Sequence, residues 1–193
     1  MTRQWAIVWG RFAVQFPSRS RSERRNFCCF GLLLPLALLA CDRSGPDQSA
    51  KRTVQLPAAR LPILDSPEYF SFDKRPGPCL INFWATWCPP CRAEMASLNR
   101  LYQEWRGRGL KVLAISVDSD PHLIREYLVA TPLDFPVLLD PGGELSKGLF
   151  RVQAFPTTWL VDLDSAVRDV WVGDRDWDAA ANRAAVEALL RPT

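Results

Sequence analysis

The stretch Leu80-Ile81-Asn82-Phe83-Trp84-Ala85-Thr86-Trp87-Cys88-Pro89-Pro90-Cys91 decides how this chain is read. Its first half is rich in β-branched and aromatic residues, which predicts a buried strand over 80–85. Beyond the second cysteine, Met95, Leu98, Leu101, Tyr102 and Trp105 recur at the spacing of one helical face, which predicts a helix over 89–106. Cys88 therefore falls where strand hands over to helix, with Cys91 one turn on.

That position has a chemical consequence. A helix N-terminus presents unpaired N–H groups and partial positive charge, and both favour a thiolate over a thiol. Cys88 is the candidate nucleophile, and Cys91, deeper in the helix, is the candidate resolving thiol that closes the disulfide. Pro89 suits the first helical position, where its missing N–H costs little. Pro90 removes a further donor, so a moderate activation of Cys88 is expected. A zinc site would need two more ligands, yet beyond the amino-terminal segment only Cys79, His122 and carboxylates remain. Covalent haem attachment requires His after the second cysteine, where Arg92 stands. A structural disulfide is the remaining alternative, but two prolines and a tryptophan at a helix start are odd choices for a staple. No metal or cofactor is expected.

The run from Asn82 to Met95 strongly resembles the thioredoxin superfamily, and within it the membrane-tethered TlpA/ResA-like thiol-disulfide oxidoreductases. Ala154-Phe155-Pro156-Thr157-Thr158-Trp159 is similar to the cis-proline segment of that family. The resemblance implies that Pro156 is cis and lies against the sulfurs, as part of the catalytic set with Cys88 and Cys91. It implies that Trp87, Pro89, Pro90, Phe155 and Thr157 contact substrate. Thioredoxin carries a buried aspartate where this chain has Asn82, and an amide cannot act as a base. Glu94, one turn past Cys91, resembles the proton acceptor of the ResA-like group; a solvated surface carboxylate is the bland alternative.

The amino end points to export. Before Cys41 stand six basic residues and one acidic residue, and from Asp42 onward 18 basic and 20 acidic, so the overall +3 describes no working surface. Arg24-Arg25 is followed by an apolar run over 27–40, whose 14 residues suit a signal-peptide core and fall short of the ~20 that a membrane crossing needs. Leu38-Leu39-Ala40-Cys41 looks like a lipoprotein processing site, with lipid on Cys41, and Asp42 resembles an inner-membrane retention signal. The organisation expected is a signal peptide over 1–40, a lipidated Cys41 with a polar tether over 41–60, and one thioredoxin-like domain over 61–193. Cys79 reads as a small buried core residue.

Along that domain the pattern predicts strands over 80–85, 111–117, 137–139, 157–161 and 167–172, and helices over 89–106, 122–130, 144–150 and 176–190. The fold class expected is α/β: a mixed central sheet with helices on both faces. By resemblance, 122–150 is the αβ insertion that the TlpA/ResA-like group shares with peroxiredoxins. A peroxidase is a rival reading, but Thr86 stands two residues before Cys88 where the peroxidatic pattern has three. A copper chaperone using the same cysteines is a second rival, weakened by the scarcity of Met and His. Asp118 and Asp120 lack the ligand count for a cation, and scattered basic residues give nucleic-acid binding no support. The family likeness implies disulfide-bearing client proteins (apocytochrome c or copper-site cysteines), a membrane thiol carrier as donor, and a location on the periplasmic side of the inner membrane.

Overall fold

A computed structural model describes residues 54–74 and 77–191. The expected signal peptide, Cys41 and most of the tether lie outside the described residues. The strands are β1 (Val54–Gln55), β2 (Arg60–Pro62), β3 (Tyr69–Ser71), β4 (Cys79–Trp84), β5 (Lys111–Ser116), β6 (Val137–Leu139), β7 (Thr157–Val161) and β8 (Ala166–Val172). The helices are α1 (Pro89–Trp105), α2 (Pro121–Ala130), α3 (Glu144–Gly148) and α4 (Ala180–Leu189).

One mixed sheet runs β1-β8-β7-β4-β5-β6. β4, β5 and β6 are parallel, joined through α1 and α2, whereas β7 and β8 add an antiparallel pair beside β4. β4 lies at the centre and is buried on both faces. Its alternation sends Leu80 and Trp84 into one apolar cluster and Cys79, Ile81 and Phe83 into the other, as the two-residue period of a strand requires. The first cluster is completed by Met95, Leu98, Leu101 and Trp105 of α1, Ile124 of α2, and Val186 and Leu189 of α4. The second is closed by Leu61, Phe72, Phe150 and Trp159, with Leu145 of α3 packed on it. Helices thus lie on both faces, as the strand and helix pattern predicted.

Three differences from the expected elements have physical causes. The tether over 41–60 is corrected at its far end. Val54 and Gln55 pair with Val167 and Ala166 on the sheet edge, and Arg60 opens β2. The β2–β3 hairpin has only three residues per strand, too few to show an alternation, and is held by burial of Leu61 and by Phe72 meeting Phe150 edge-on at 5.6 Å. The last helix starts at Ala180 rather than 176. Upstream of it, the Trp177 N–H is drawn to Ser97 Oγ at 3.2 Å, and the Trp177 ring stacks on Trp171 with centroids 5.6 Å apart. Among the described residues no helix is long and apolar enough to cross a membrane.

Candidate active site

α1 begins at the sulfurs. Cys88 is its N-cap, in extended conformation, and Pro89 and Pro90 fill the first two helical positions. Since neither proline has an N–H, the first free amide of the helix is that of Cys91, and it donates to Cys88 Sγ at 3.3 Å. The helix therefore turns one N–H and its positive end towards a single sulfur. Cys88 and Cys91 are joined in a disulfide with Cα atoms 5.3 Å apart. In this state Cys88 is 5 % exposed, against 0 % for Cys91, so Cys88 is the outer sulfur but not an open one.

Around Cys88, Trp87 is 63 % exposed and meets the half-buried Phe155 edge-on, with centroids 6.1 Å apart. Pro89 and Pro90 are exposed beside them. The Phe155–Pro156 peptide is cis and Pro156 is buried, with its carbonyl accepting from the Gly173 N–H at 2.9 Å. Thr157 is buried and its hydroxyl donates to the Ala154 carbonyl at 2.7 Å, so this side chain shapes the loop from within.

Two buried carboxylates flank the cysteines, and neither is a surface group. Glu94 is 2 % exposed. Its Oε1 accepts from Asn82 Nδ2 at 2.7 Å and its Oε2 from the Arg175 N–H at 2.9 Å. Burial pushes its carboxyl up to about 7; the donors from Asn82 and Arg175 and the indole of Trp177 oppose that rise, and the charge of Asp174 adds to it. Asp118 was weighed only as an incomplete cation ligand. It instead accepts from the Thr86 N–H at 2.9 Å, the Thr86 hydroxyl at 2.7 Å and the Ser116 hydroxyl at 2.7 Å, bracing the turn that delivers Cys88. The Thr86 hydroxyl is thereby committed away from the sulfurs. Asp120 caps α2 through the His122 N–H. Cys79 is fully buried, and burial pushes its thiol up to about 12, with Lys111 opposing. Among the described residues no cluster of three or more His, Cys, Asp or Glu side chains is placed to hold a metal.

A family model described as AhpC/TSA matches residues 54–170, more than half of the chain. The chain belongs to the AhpC/TSA family. Among its relatives, the thiol-disulfide oxidoreductase ResA of Oceanobacillus iheyensis is 34% identical over 94 residues, covering 49% of this chain and 48% of that protein. The thioredoxin-like protein YneN of Bacillus subtilis is 32% identical over 122 residues, covering 62% and 70%. The chain spans about half the length of the ResA relatives it matches. Among solved structures, a thiol:disulfide interchange protein of the thioredoxin family from Chlorobium tepidum superposes with a TM-score of 0.63 at 25% identity, covering 72% of this chain and 98% of that one. The fold is thioredoxin-like, and the resemblance read from the two motifs is that of the family.

Asn82, Asp118, Ser97 and Arg175 are the residues to which the sequence alone assigned no part in the site. Asn82 carried a signal, since it shares the strand parity of Leu80 and Trp84 and so faces α1. Asp118 stands two residues past the end of β5 but has no motif, and Arg175 contributes only a backbone N–H from 81 residues away in sequence.

Proposed function

We propose that this protein is a thiol-disulfide oxidoreductase that reduces disulfides of client proteins. The Cys88 thiolate attacks one sulfur of the client disulfide, forming a mixed disulfide and releasing the first client sulfur as a thiolate. Cys91 then loses its proton and attacks Cys88 Sγ, so that the Cys88–Cys91 disulfide forms and the second client thiol leaves. Two electrons pass to the client. Glu94, buried one turn beyond Cys91, takes the proton of the resolving thiol and returns it to solvent or to the leaving sulfur. Trp87, Pro89, Pro90, Phe155, Pro156 and the loop shaped by Thr157 seat the client as an extended segment.

The observation that carries this reading is the amide of Cys91 aimed at Cys88 Sγ, at the first position of α1 where an N–H exists at all. One donor rather than several favours moderate activation, which suits a reductant better than a strong oxidase. The names of the ResA and interchange-protein relatives support the same chemistry. In this reading lipid on Cys41 holds the domain at the periplasmic face of the inner membrane. A membrane thiol carrier supplies the electrons, and the clients are apocytochrome c or copper-site cysteine pairs.

Substitution at the two sulfurs tests it. Cys88→Ser should abolish disulfide reduction, and Cys91→Ser should accumulate a stable mixed disulfide with the client. Trapping by Cys88→Ser in place of Cys91→Ser would reverse the assignment. A reduction potential near that of strong oxidases, ~−120 mV, would overturn the direction of electron flow. Copper(I) binding without turnover would favour the chaperone reading.

A further inference from the structure

Asn82 occupies the middle of β4 with no exposed surface, at the position where an acid would be of direct use and an amide looks inert. Its surroundings give the amide a different task. Both hydrogens of Asn82 Nδ2 are taken, one by Glu94 Oε1 at 2.7 Å and one by Thr158 Oγ1 at 2.9 Å. Its Oδ1, equally buried, has no hydrogen-bond partner among the described residues. The orientation follows from the Glu94 side: turned over, the amide would set Oδ1 against the Glu94 carboxylate, and only the Thr158 hydroxyl could donate to it. An orphaned carbonyl is thus tolerated in order to direct two donors.

We propose that Asn82 is a positioning residue for the Glu94 carboxylate, fixing its direction and supporting its charge through the hydrogen bond from Nδ2. This rests on the reading that Glu94 serves the thiols. The Glu94 carboxylate receives the Asn82 side chain from β4 and the Arg175 backbone N–H from the loop after β8. The charged groups on that loop are Asp174, whose charge disfavours the carboxylate, Arg175, whose guanidinium lies 4.2 Å from the centre of the Trp171 ring, Asp176, which accepts from the Asp178 N–H, and Asp178, which pairs with Arg100. β7 presents the neutral Thr158, and α1 itself places Cys91 one turn back, with Cys88 at its N-cap. Asn82 is the side chain within hydrogen-bond distance of the carboxylate, and Thr158 holds its rotamer; the Trp177 indole also favours the charged form, although its N–H makes no hydrogen bond among the described residues. An aspartate here would instead make two carboxylates compete for one proton. The proton site of the fold is thereby moved from β4 to α1, with the amide left behind as its support.

The test is a carbon-13 NMR titration of the Glu94 carboxyl in the disulfide form of the full chain, where neither active-site cysteine titrates. Beside it, the pH dependence of disulfide reduction is measured. Asn82→Leu, which keeps volume and removes the donor, should raise the Glu94 midpoint by about one pH unit or more, the value of one hydrogen bond to a charged group. The corresponding limb of the turnover profile should move with it. Should Asn82→Leu fail to fold, Thr158→Val decides: it leaves the donor but frees its rotamer, and should move the midpoint in the same direction by less. An unchanged midpoint overturns the assignment of Asn82. Glu94→Gln separates the two claims. If it removes the limb while Asn82→Leu leaves the midpoint in place, the Asn82 inference alone falls. If it retains the limb, the reading of Glu94 beneath it falls.

Discussion

A carboxyl held at about 7 rather than 4.5 makes folding stability depend on pH in a direction opposite to that of an ordinary paired carboxylate. The sign follows from burial, since the folded state prefers the protonated acid and the unfolded chain releases its proton first. The stability contributed by Glu94 is therefore fully present below the unfolded value and is lost as pH rises to the folded one. A rise from 4.5 to about 7 corresponds to about 3 kcal/mol at ~1.36 kcal/mol per pKa unit. Glu94→Gln removes the ionisation while keeping a side chain of similar shape. Its Oε1 can accept from only one of the two donors, Asn82 and Arg175, and its NH2 cannot accept from the other; that cost is the same at every pH and leaves the pH dependence of the difference unchanged. Urea unfolding of the disulfide form at a series of pH values from about 4 to about 8 should show wild type losing about 3 kcal/mol relative to Glu94→Gln across that range. Other titrating groups contribute equally to both proteins and cancel in the difference. Parallel profiles would refute the reasoning, because they would mean that Glu94 ionises in the fold as it does in water.

Further outcomes follow from neighbouring contacts. Asp118→Ala should destabilise the protein by about 3 kcal/mol in thermal or urea unfolding, because it strands the Thr86 and Ser116 donors in a buried turn. It should also slow client reduction by loosening the approach to Cys88. Trp177→Ala should cost ~3–5 kcal/mol, since the ring is fully buried and stacked on Trp171. In the reduced protein at neutral pH, iodoacetamide should leave Cys79 unlabelled until denaturant is added, as read by peptide mass, because its thiol is buried and pushed up to about 12.

How far the sequence could be read divides along physical lines. The strand at 80–85, the helix that follows and the sulfur pair between them were legible. Each rests on local periodicity and on the proline-rich cap. The interior of α1 was legible for the same reason, with Met95, Leu98, Leu101 and Trp105 all buried as their spacing required. The hairpin over Arg60–Pro62 and Tyr69–Ser71 was not, because three-residue strands carry no period and take their stability from Phe72 and Phe150 far apart in sequence. Glu94 showed its helical position but not its surroundings. A glutamate on a helix is solvated unless something distant covers it, and what covers this one includes the Arg175–Trp177 segment. Asp118 looked like a loop acid because Thr86, 32 residues away, meets it only after β4 and β5 pair, while its contact with Ser116 is local. The two donors of Asn82 became visible only in three dimensions.

The account turns on one sulfur being ionised because the start of α1 accepts its charge. The most direct measurement is the rate of alkylation of the reduced protein as a function of pH, with each cysteine resolved by peptide mass. The prediction is modification at Cys88 alone, with a midpoint clearly below the ~8.5 of a free thiol. A midpoint at that free value, or equal rates at Cys88 and Cys91, would contradict it.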